Sequence, residues 1–230
     1  MVRELAPQAK GSYSRPSDPF ISEGMELGDI HYLYTGNGKV VLVLKRKGLF
    51  SYPDSLLCHS ACPWCHRCHF QIHLQNLAGV EVVRLDDDAE RASRGGWIIM
   101  DGVKEPLFNA KDLKEVYDQS TNSENGFRGR CTAPLLINGR RRKIVSNNSK
   151  NIMKLLNDLS LKRGEGAIDL FPKSLEREIE RLEEWMFKNL NNAVYQAGFS
   201  TTQEACEAAA AKYDTSPPPL FQTHSNSSSF

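Results

Sequence analysis

The feature that most constrains this chain is Cys62-Pro63-Trp64-Cys65, a C-x-x-C set where a strand-like run ends and a helical pattern opens. A strand that turns straight into a helix leaves the first sulfur at the helix N-terminus. There the unsatisfied N–H groups and the helix dipole favour thiolate over thiol. Pro63 suits such a start, because its missing N–H costs nothing in a first turn. Upstream, Val40–Leu44 (VVLVL) and Leu56–Cys58 read as short strands, and residues from about Cys65 to Leu77 read as a helix. Gly79 breaks that helix and Val80–Leu85 follows as a strand. This β-α-β opening predicts a parallel strand pair joined by a helical crossover.

Farther along, Asp112–Tyr117 predicts a short helix, and the turn-rich TNSENGFRGR leads to a strand at Leu135–Ile137. Gly139 opens a hairpin, Lys143–Val145 returns, and a helix from about Asn147 to Leu159 buries Ile152, Leu155, Leu156 and Leu159. The order of elements is that of an α/β thioredoxin-like domain. Beyond the charged linker Lys162–Gly166 the pattern is all helix. Leu175, Ile179, Leu182, Trp185, Met186 and Leu190 form an apolar stripe, and an alanine-rich helix spans Thr202–Tyr213. We divide the chain into an N-terminal arm with an insertion (1–55), a thioredoxin-like domain (56–161), an incomplete helical domain (167–213) and a disordered tail (214–230).

Lys and Arg total 29 against 28 Asp and Glu, a net charge of +1, which gives no field for general nucleic-acid or membrane-surface binding. No apolar run approaches the roughly 20 residues of a membrane-spanning helix. The N-terminus, MVRELAPQAKGSYSRPSDPF, carries no apolar signal segment, which predicts a reducing, cytoplasmic setting. The six cysteines then read as thiols, ligands or catalytic groups rather than disulfide staples.

Residues 58–73, CHSACPWCHRCHFQIH, hold four cysteines and four histidines, and two mechanisms compete for them. One is a zinc site drawn from Cys58, Cys62, Cys65 and a neighbouring His. The other is thiol chemistry at Cys62. The second is favoured by the proline, by the β-α-β setting, and by the isolation of the remaining cysteines, Cys131 and Cys206, which supply no second knuckle. Cys65 is either a resolving thiol or a packing residue. The extra groups Cys58, His59, His66, Cys68, His69 and His73 read as surface or packing residues without chemistry.

Ser60-Ala61-Cys62-Pro63-Trp64-Cys65-His66-Arg67 resembles the active-site segment of glutathionyl-hydroquinone reductases, the Xi class of glutathione transferases, relatives of the Omega class. Further blocks match in the same order: Gly96-Trp97, then Gly129-Arg130-Cys131-Thr132-Ala133-Pro134, then Ile144-Val145-Ser146-Asn147-Asn148-Ser149. Asn191-Asn192-Ala193-Val194-Tyr195-Gln196-Ala197-Gly198-Phe199 completes the series, and Gly11–Ile21 is a fainter echo. The resemblance implies a thioredoxin-like domain that binds glutathione and a helical domain that shapes the acceptor pocket. It implies Cys62 as nucleophile and Tyr195 as proton donor or acceptor. Trp97, Arg130, Cys131, Thr132, Ala133, Asn148 and Ser149 are then the glutathione-binding set. Glutathione enters as co-substrate and no metal is required. An alanine before a cis Pro134 offers its backbone to an extended peptide as one added rung. Ser149 at a helix start presents donors to a carboxylate.

The chain also departs from the family. Asn148 stands in place of a glutamate, which exchanges a charge-assisted contact for a neutral one. Residues 36–55 read as an insertion, because Ile30-His31-Tyr32-Leu33-Tyr34, which resembles a His-Leu-Tyr strand of the family, is separated from Cys62 where the family runs almost directly on. The resemblance stops near Tyr213, short of further acceptor-pocket residues and of a family-like homodimer surface. The expected function is therefore reduction of glutathionyl-hydroquinones through a Cys62–glutathione mixed disulfide. Two alternatives stand beside it: a glutathione-binding scaffold without turnover, and the zinc-binding module.

Overall fold

The computed structural model describes residues 31–36, 39–41, 57–59, 62–77, 79–121, 125–164 and 166–214. The expected N-terminal arm, most of the expected insertion and the tail beyond Asp214 lie outside these. The described residues fall into two compact units that divide between Asp169 and Leu170.

The first unit is built on a five-stranded sheet. Its strands are β1 (His31–Gly36), β4 (Val80–Asp87), β5 (Trp97–Ile99), β6 (Leu135–Asn138) and β7 (Lys143–Ser146), in the order β5-β4-β1-β6-β7. β1 is central, parallel to β4 with Leu33 opposite Val82, and antiparallel to β6 with Leu33 opposite Leu136. Helix α1 (Pro63–Leu74) makes the crossover between the parallel strands, α2 (Leu113–Thr121) follows β5, and α3 (Ser149–Leu161) follows β7.

The period-2 alternation of the strands divides the core between two faces. Leu33, Leu136 and Val145 pack with Cys68 and Ile72 of α1 and with Ile152, Leu155, Leu156 and Leu159 of α3. The next residue of β1, Tyr34, is fully buried and its hydroxyl donates to Glu105 at 2.5 Å. Glu105 is itself buried and accepts the backbone N–H groups of Leu107, Phe108 and Ala110 at 2.9, 2.6 and 3.1 Å. A buried carboxylate ringed by four donors is satisfied without a counter-cation. Burial and the Glu105 hydrogen bond together push the Tyr34 hydroxyl pKa well above its ordinary range.

The sheet corrects the expected β-α-β opening. The parallel partner of β4 is His31–Gly36, not Val40–Leu44 or Leu56–Cys58. Within those runs, β2 (Lys39–Val41) and β3 (Leu57–His59) pair only with each other, as a separate antiparallel ribbon. The VVLVL run is the more hydrophobic, but a central strand must cover both of its faces. β1 does so with Leu33, Tyr34 and Thr35, a Tyr and a Thr that a hydropathy pattern does not score as core. Helix α1 begins at Pro63, two residues before the expected start. It ends at Leu74, after which Gln75 leads to Asn76 in the left-handed region at φ 49°. Strand β5, three residues long, was not expected; α2 runs past its expected end at Tyr117 to Thr121.

The second unit is helical. A single 3₁₀ turn, Lys173–Leu175, leads into α4 (Glu176–Met186), which continues through a π turn (Phe187–Asn191) into α5 (Asn192–Gly198), and α6 (Gln203–Asp214) follows. The expected apolar stripe is present in sequence, yet no residue of α4 is fully buried. Among the described residues of this unit only Ala193 and Ala209 reach full burial, and Leu175, Met186, Phe187 and Val194 stand exposed. No helix among the described residues is long and apolar enough to cross a membrane.

Candidate active site

Cys62 is the residue at which extended chain becomes helix. Its φ of −103° and ψ of 109° are non-helical, Pro63 takes the first helical position, and the Cys62 carbonyl accepts from Cys65 and His66 at 3.1 and 3.0 Å. The thiol makes no capping bond to the helix, and no acidic residue occupies the first turn. No carboxylate in that turn therefore repels negative charge on sulfur, and the end of the helix dipole favours it. Cys62 is 6% exposed, nearly buried and not a free surface group.

Across from it lies the segment that enters β6. Ala133–Pro134 is a cis peptide, and the Ala133 carbonyl oxygen is 3.9 Å from Cys62 Sγ. Tyr117 of α2 donates its hydroxyl to the Thr132 carbonyl at 2.9 Å, and Asn147 donates to the Tyr117 hydroxyl at 3.2 Å and to Thr132 Oγ1 at 3.3 Å. The residues before the proline are thus held from behind by a buried polar network, and burial pushes the Tyr117 pKa up. Such a network fixes the carbonyl and N–H directions of an edge that an extended ligand can use.

A second bridge joins α1 to the start of α3. Arg67 donates to Ser149 Oγ from Nε at 3.1 Å and from a terminal nitrogen at 2.5 Å, and its guanidinium lies 4.9 Å from the centre of the Trp64 ring. A serine oxygen has two lone pairs and one proton. With both lone pairs facing Arg67, the Ser149 proton is left to donate elsewhere. Cys68, one turn beyond Cys65, donates to the Ser149 carbonyl at 3.6 Å. Burial pushes its thiol up to about 12, Arg67 pulls it back down in part, and Cys62 adds a smaller upward push. Cys68 is therefore a packing thiol. Cys65 is likewise fully buried and Cys131 nearly so.

Of the expected site residues, the structure sets Ala133, next to Thr132, against Cys62, and Ser149 against Arg67 and Cys68 of the same helix. Asn148 stands beside Ser149 with its side chain engaged: Oδ1 caps α3 by accepting the Asn151 N–H at 3.1 Å, with φ −93° and ψ 114°. Trp97 is a buried residue of edge strand β5. The loop before it is tied to the 127–129 segment by Arg94, whose guanidinium donates to the carbonyls of Phe127, Arg128 and Gly129. Arg130 follows that segment, with its Nε buried and without a hydrogen-bond partner. Tyr195 belongs to α5 of the second unit, its ring 6.1 Å from that of Phe199. Arg67, Arg94, Tyr117 and Asn147 are the residues that sequence reasoning left without a role. Arg67 and Asn147 carried a signal, their places in the Cys62 and Ile144–Ser149 segments.

On the zinc reading, no group of three or more His, Cys, Asp or Glu residues among the described ones is arranged to hold a metal ion. The side chain of Cys58 lies outside that set. On α1, the rings of His69 and His73 face each other with Nε2 atoms 2.9 Å apart. Burial, followed by His73, Arg84 and His66, holds His69 down at about 4.

No family model matches the chain. Glutathionyl-hydroquinone reductase YqjG of Escherichia coli is 31% identical over 157 residues, which are 66% of this chain and 46% of that protein. Glutathionyl-hydroquinone reductase PcpF of Sphingobium chlorophenolicum is 32% identical over 152 residues, 65% of this chain and 47% of the relative. Among solved structures, the glutathione-bound form of the Escherichia coli YqjG protein superposes with a TM-score of 0.61 at 26% identity, over 91% of this chain and 57% of that one. The chain thus spans about half the length of the curated relatives it matches. With a thioredoxin-like unit followed by a helical one, the chain is similar to glutathionyl-hydroquinone reductases over the part it shares with them.

Proposed function

We propose that this chain performs glutathione-dependent thiol transfer, with Cys62 as nucleophile and glutathionyl-hydroquinones as substrates. The observation that carries the reading is the position of Cys62: a thiol on the residue that caps the start of α1, 3.9 Å from the carbonyl of the residue before cis Pro134. Its relatives' names supply the substrate class, and one of them has been solved with glutathione bound.

The Cys62 thiolate attacks the glutathione sulfur of the thioether. The carbon–sulfur bond breaks, a Cys62–glutathione disulfide forms, and the aromatic group leaves with the bonding pair and takes up one proton as hydroquinone. Tyr195 is the proposed source of that proton. A second glutathione thiolate then attacks the mixed disulfide on its glutathione sulfur, releasing glutathione disulfide and restoring Cys62. The sum is one glutathionyl-hydroquinone plus one glutathione giving hydroquinone plus glutathione disulfide. In the proposed binding mode the peptide backbone of glutathione pairs with Ala133. Its γ-glutamyl carboxylate takes the Ser149 proton and the N–H groups at the start of α3.

The test is hydroquinone release, followed by chromatography, from Cys62→Ser and Cys65→Ser variants. Loss in the first and retention in the second supports the reading. Substantial turnover by Cys62→Ser refutes it.

A further inference from the structure

We propose that His69 and His73 form a two-imidazole chelate on the outer face of α1 for a divalent d-block cation of the zinc, nickel or copper class. The two residues are four apart in one helix, and their Nε2 atoms are 2.9 Å apart with ring centroids at 4.6 Å. Two nitrogens each about 2.1 Å from one ion, at right angles, lie about 3.0 Å apart. The observed separation matches the bite of cis positions around such a cation with no change of backbone.

A helix holds i and i+4 side chains on one face, and a pair of histidines at this spacing is the usual helical zinc-ligand pattern. Here the run is His69-Phe70-Gln71-Ile72-His73, with Phe70 where the metallohydrolase motif places its glutamate. The pair therefore has ligands and no adjacent general base, so it binds rather than hydrolyses. In the metal-free helix one ring donates its Nε2 proton to the other. Binding moves that proton to Nδ1 of the same ring, which frees both Nε2 lone pairs with no net change of charge.

The groups around the pair set its limits. His66 lies one turn toward the N-terminus, its ring directed at Phe70 at 6.4 Å. No third His, Cys, Asp or Glu completes a cluster among the described residues, so the other coordination positions fall to solvent. Arg84 acts electrostatically on His69 and opposes an incoming cation, which moderates the affinity. The site uses none of the thiols of the zinc module weighed from sequence, and it stands apart from the chemistry proposed for Cys62.

The experiment is titration of the full reduced chain with nickel chloride, followed by calorimetry and by paramagnetic broadening of the histidine Cε1–H resonances. Wild type should bind one equivalent and broaden His69 and His73 together. His73→Asn, at an exposed position that leaves the fold intact, should weaken binding on the order of 100-fold, because it converts a chelate into a single ligand. His69→Asn should do the same, and Cys62→Ser/Cys65→Ser should bind as wild type does. Nickel binding that survives His73→Asn, or that disappears in the double serine variant, overturns the proposal. So does an absence of binding in wild type.

Discussion

Ser149 holds its place at the start of α3 through Arg67, and that contact has a measurable size. Two guanidinium N–H groups converge on one hydroxyl oxygen at 3.1 and 2.5 Å, with Ser149 only 7% exposed. A hydrogen bond to a charged group contributes about 1.5–3 kcal/mol, and a buried hydroxyl stripped of its partner costs about 1–3 kcal/mol. Because both N–H groups share one acceptor, the coupling between the two side chains should be about 2 kcal/mol rather than the sum of two bonds. The perturbation is a double-mutant cycle of Arg67→Met, Ser149→Ala and the pair. Met keeps the apolar stem beside Trp64, so the cycle isolates the polar contact. Urea unfolding should show each single variant destabilised and the double variant about 2 kcal/mol less unstable than the sum of the singles. For a unit of this size each such loss lowers Tm by roughly 4–8 °C. In glutathione titrations, Arg67→Met should weaken binding as Ser149→Ala does, because the hydroxyl proton is no longer directed away from α1. A coupling energy indistinguishable from zero, with unchanged glutathione affinity in Arg67→Met, would refute the reasoning.

Other contacts give further expectations. Native protein treated with iodoacetamide at pH 8 should carry no label on Cys68, whose thiol is held up to about 12; rapid labelling, read by peptide mass spectrometry, contradicts its burial. Because the folded pKa exceeds the unfolded value of 9.0, Cys68 contributes stability below pH 9 and loses it as pH rises from about 9 toward 12. Asn148→Ala should cost about 1 kcal/mol through loss of the α3 cap, and Asn148→Asp should keep it; equal unfolding midpoints for the two count against a capping role. Glu105→Gln should cost at least about 2 kcal/mol, since an amide cannot accept Tyr34 and three backbone N–H groups together; an unchanged urea midpoint removes that account.

The elements most legible in sequence are those whose burial is carried by aliphatic residues in a regular period. Helix α3 shows Ile152, Leu155, Leu156 and Leu159 on one face, and all four are in the core. Strand β6 reads correctly for the same reason. The central strand is marked by the resemblance, as Ile30–Tyr34 ahead of the insertion, but not by the hydrophobic pattern, because its centrality depends on pairing partners distant in sequence, Val80–Leu85 on one side and Leu135–Asn138 on the other. No local pattern contains that information, and the adjacent VVLVL run offered a stronger local signal. Strand β5 was illegible for a different reason: three residues span too few repeats to display a period.

In the candidate site the legible part is the part that is local. Cys62 before Pro63 can be read as a helix start from neighbouring residues alone, because the geometry proposed to activate its sulfur spans a single turn. What packs against this end of α1 is assembled from contacts 71 to 82 residues distant, the Ala133 carbonyl on Cys62 and Ser149 on Arg67. Those contacts belong to the order of strands rather than to any motif. Asn148 makes the difference plain. Aligned by resemblance, it is a weakened ligand residue; placed in the fold, it is the cap that sets where α3 begins and so where Ser149 presents its hydroxyl. Asn148→Glu, which reads from sequence as a gain of charge for a ligand amino group, therefore also disturbs the helix start on which the neighbouring contact depends. The cap loss, about 1 kcal/mol, falls on stability, whereas the gained charge falls on glutathione affinity. Measuring its stability and its glutathione affinity together separates the two effects. A more tightly binding and equally stable variant would show that the ligand contact, and not the cap, is what this position governs.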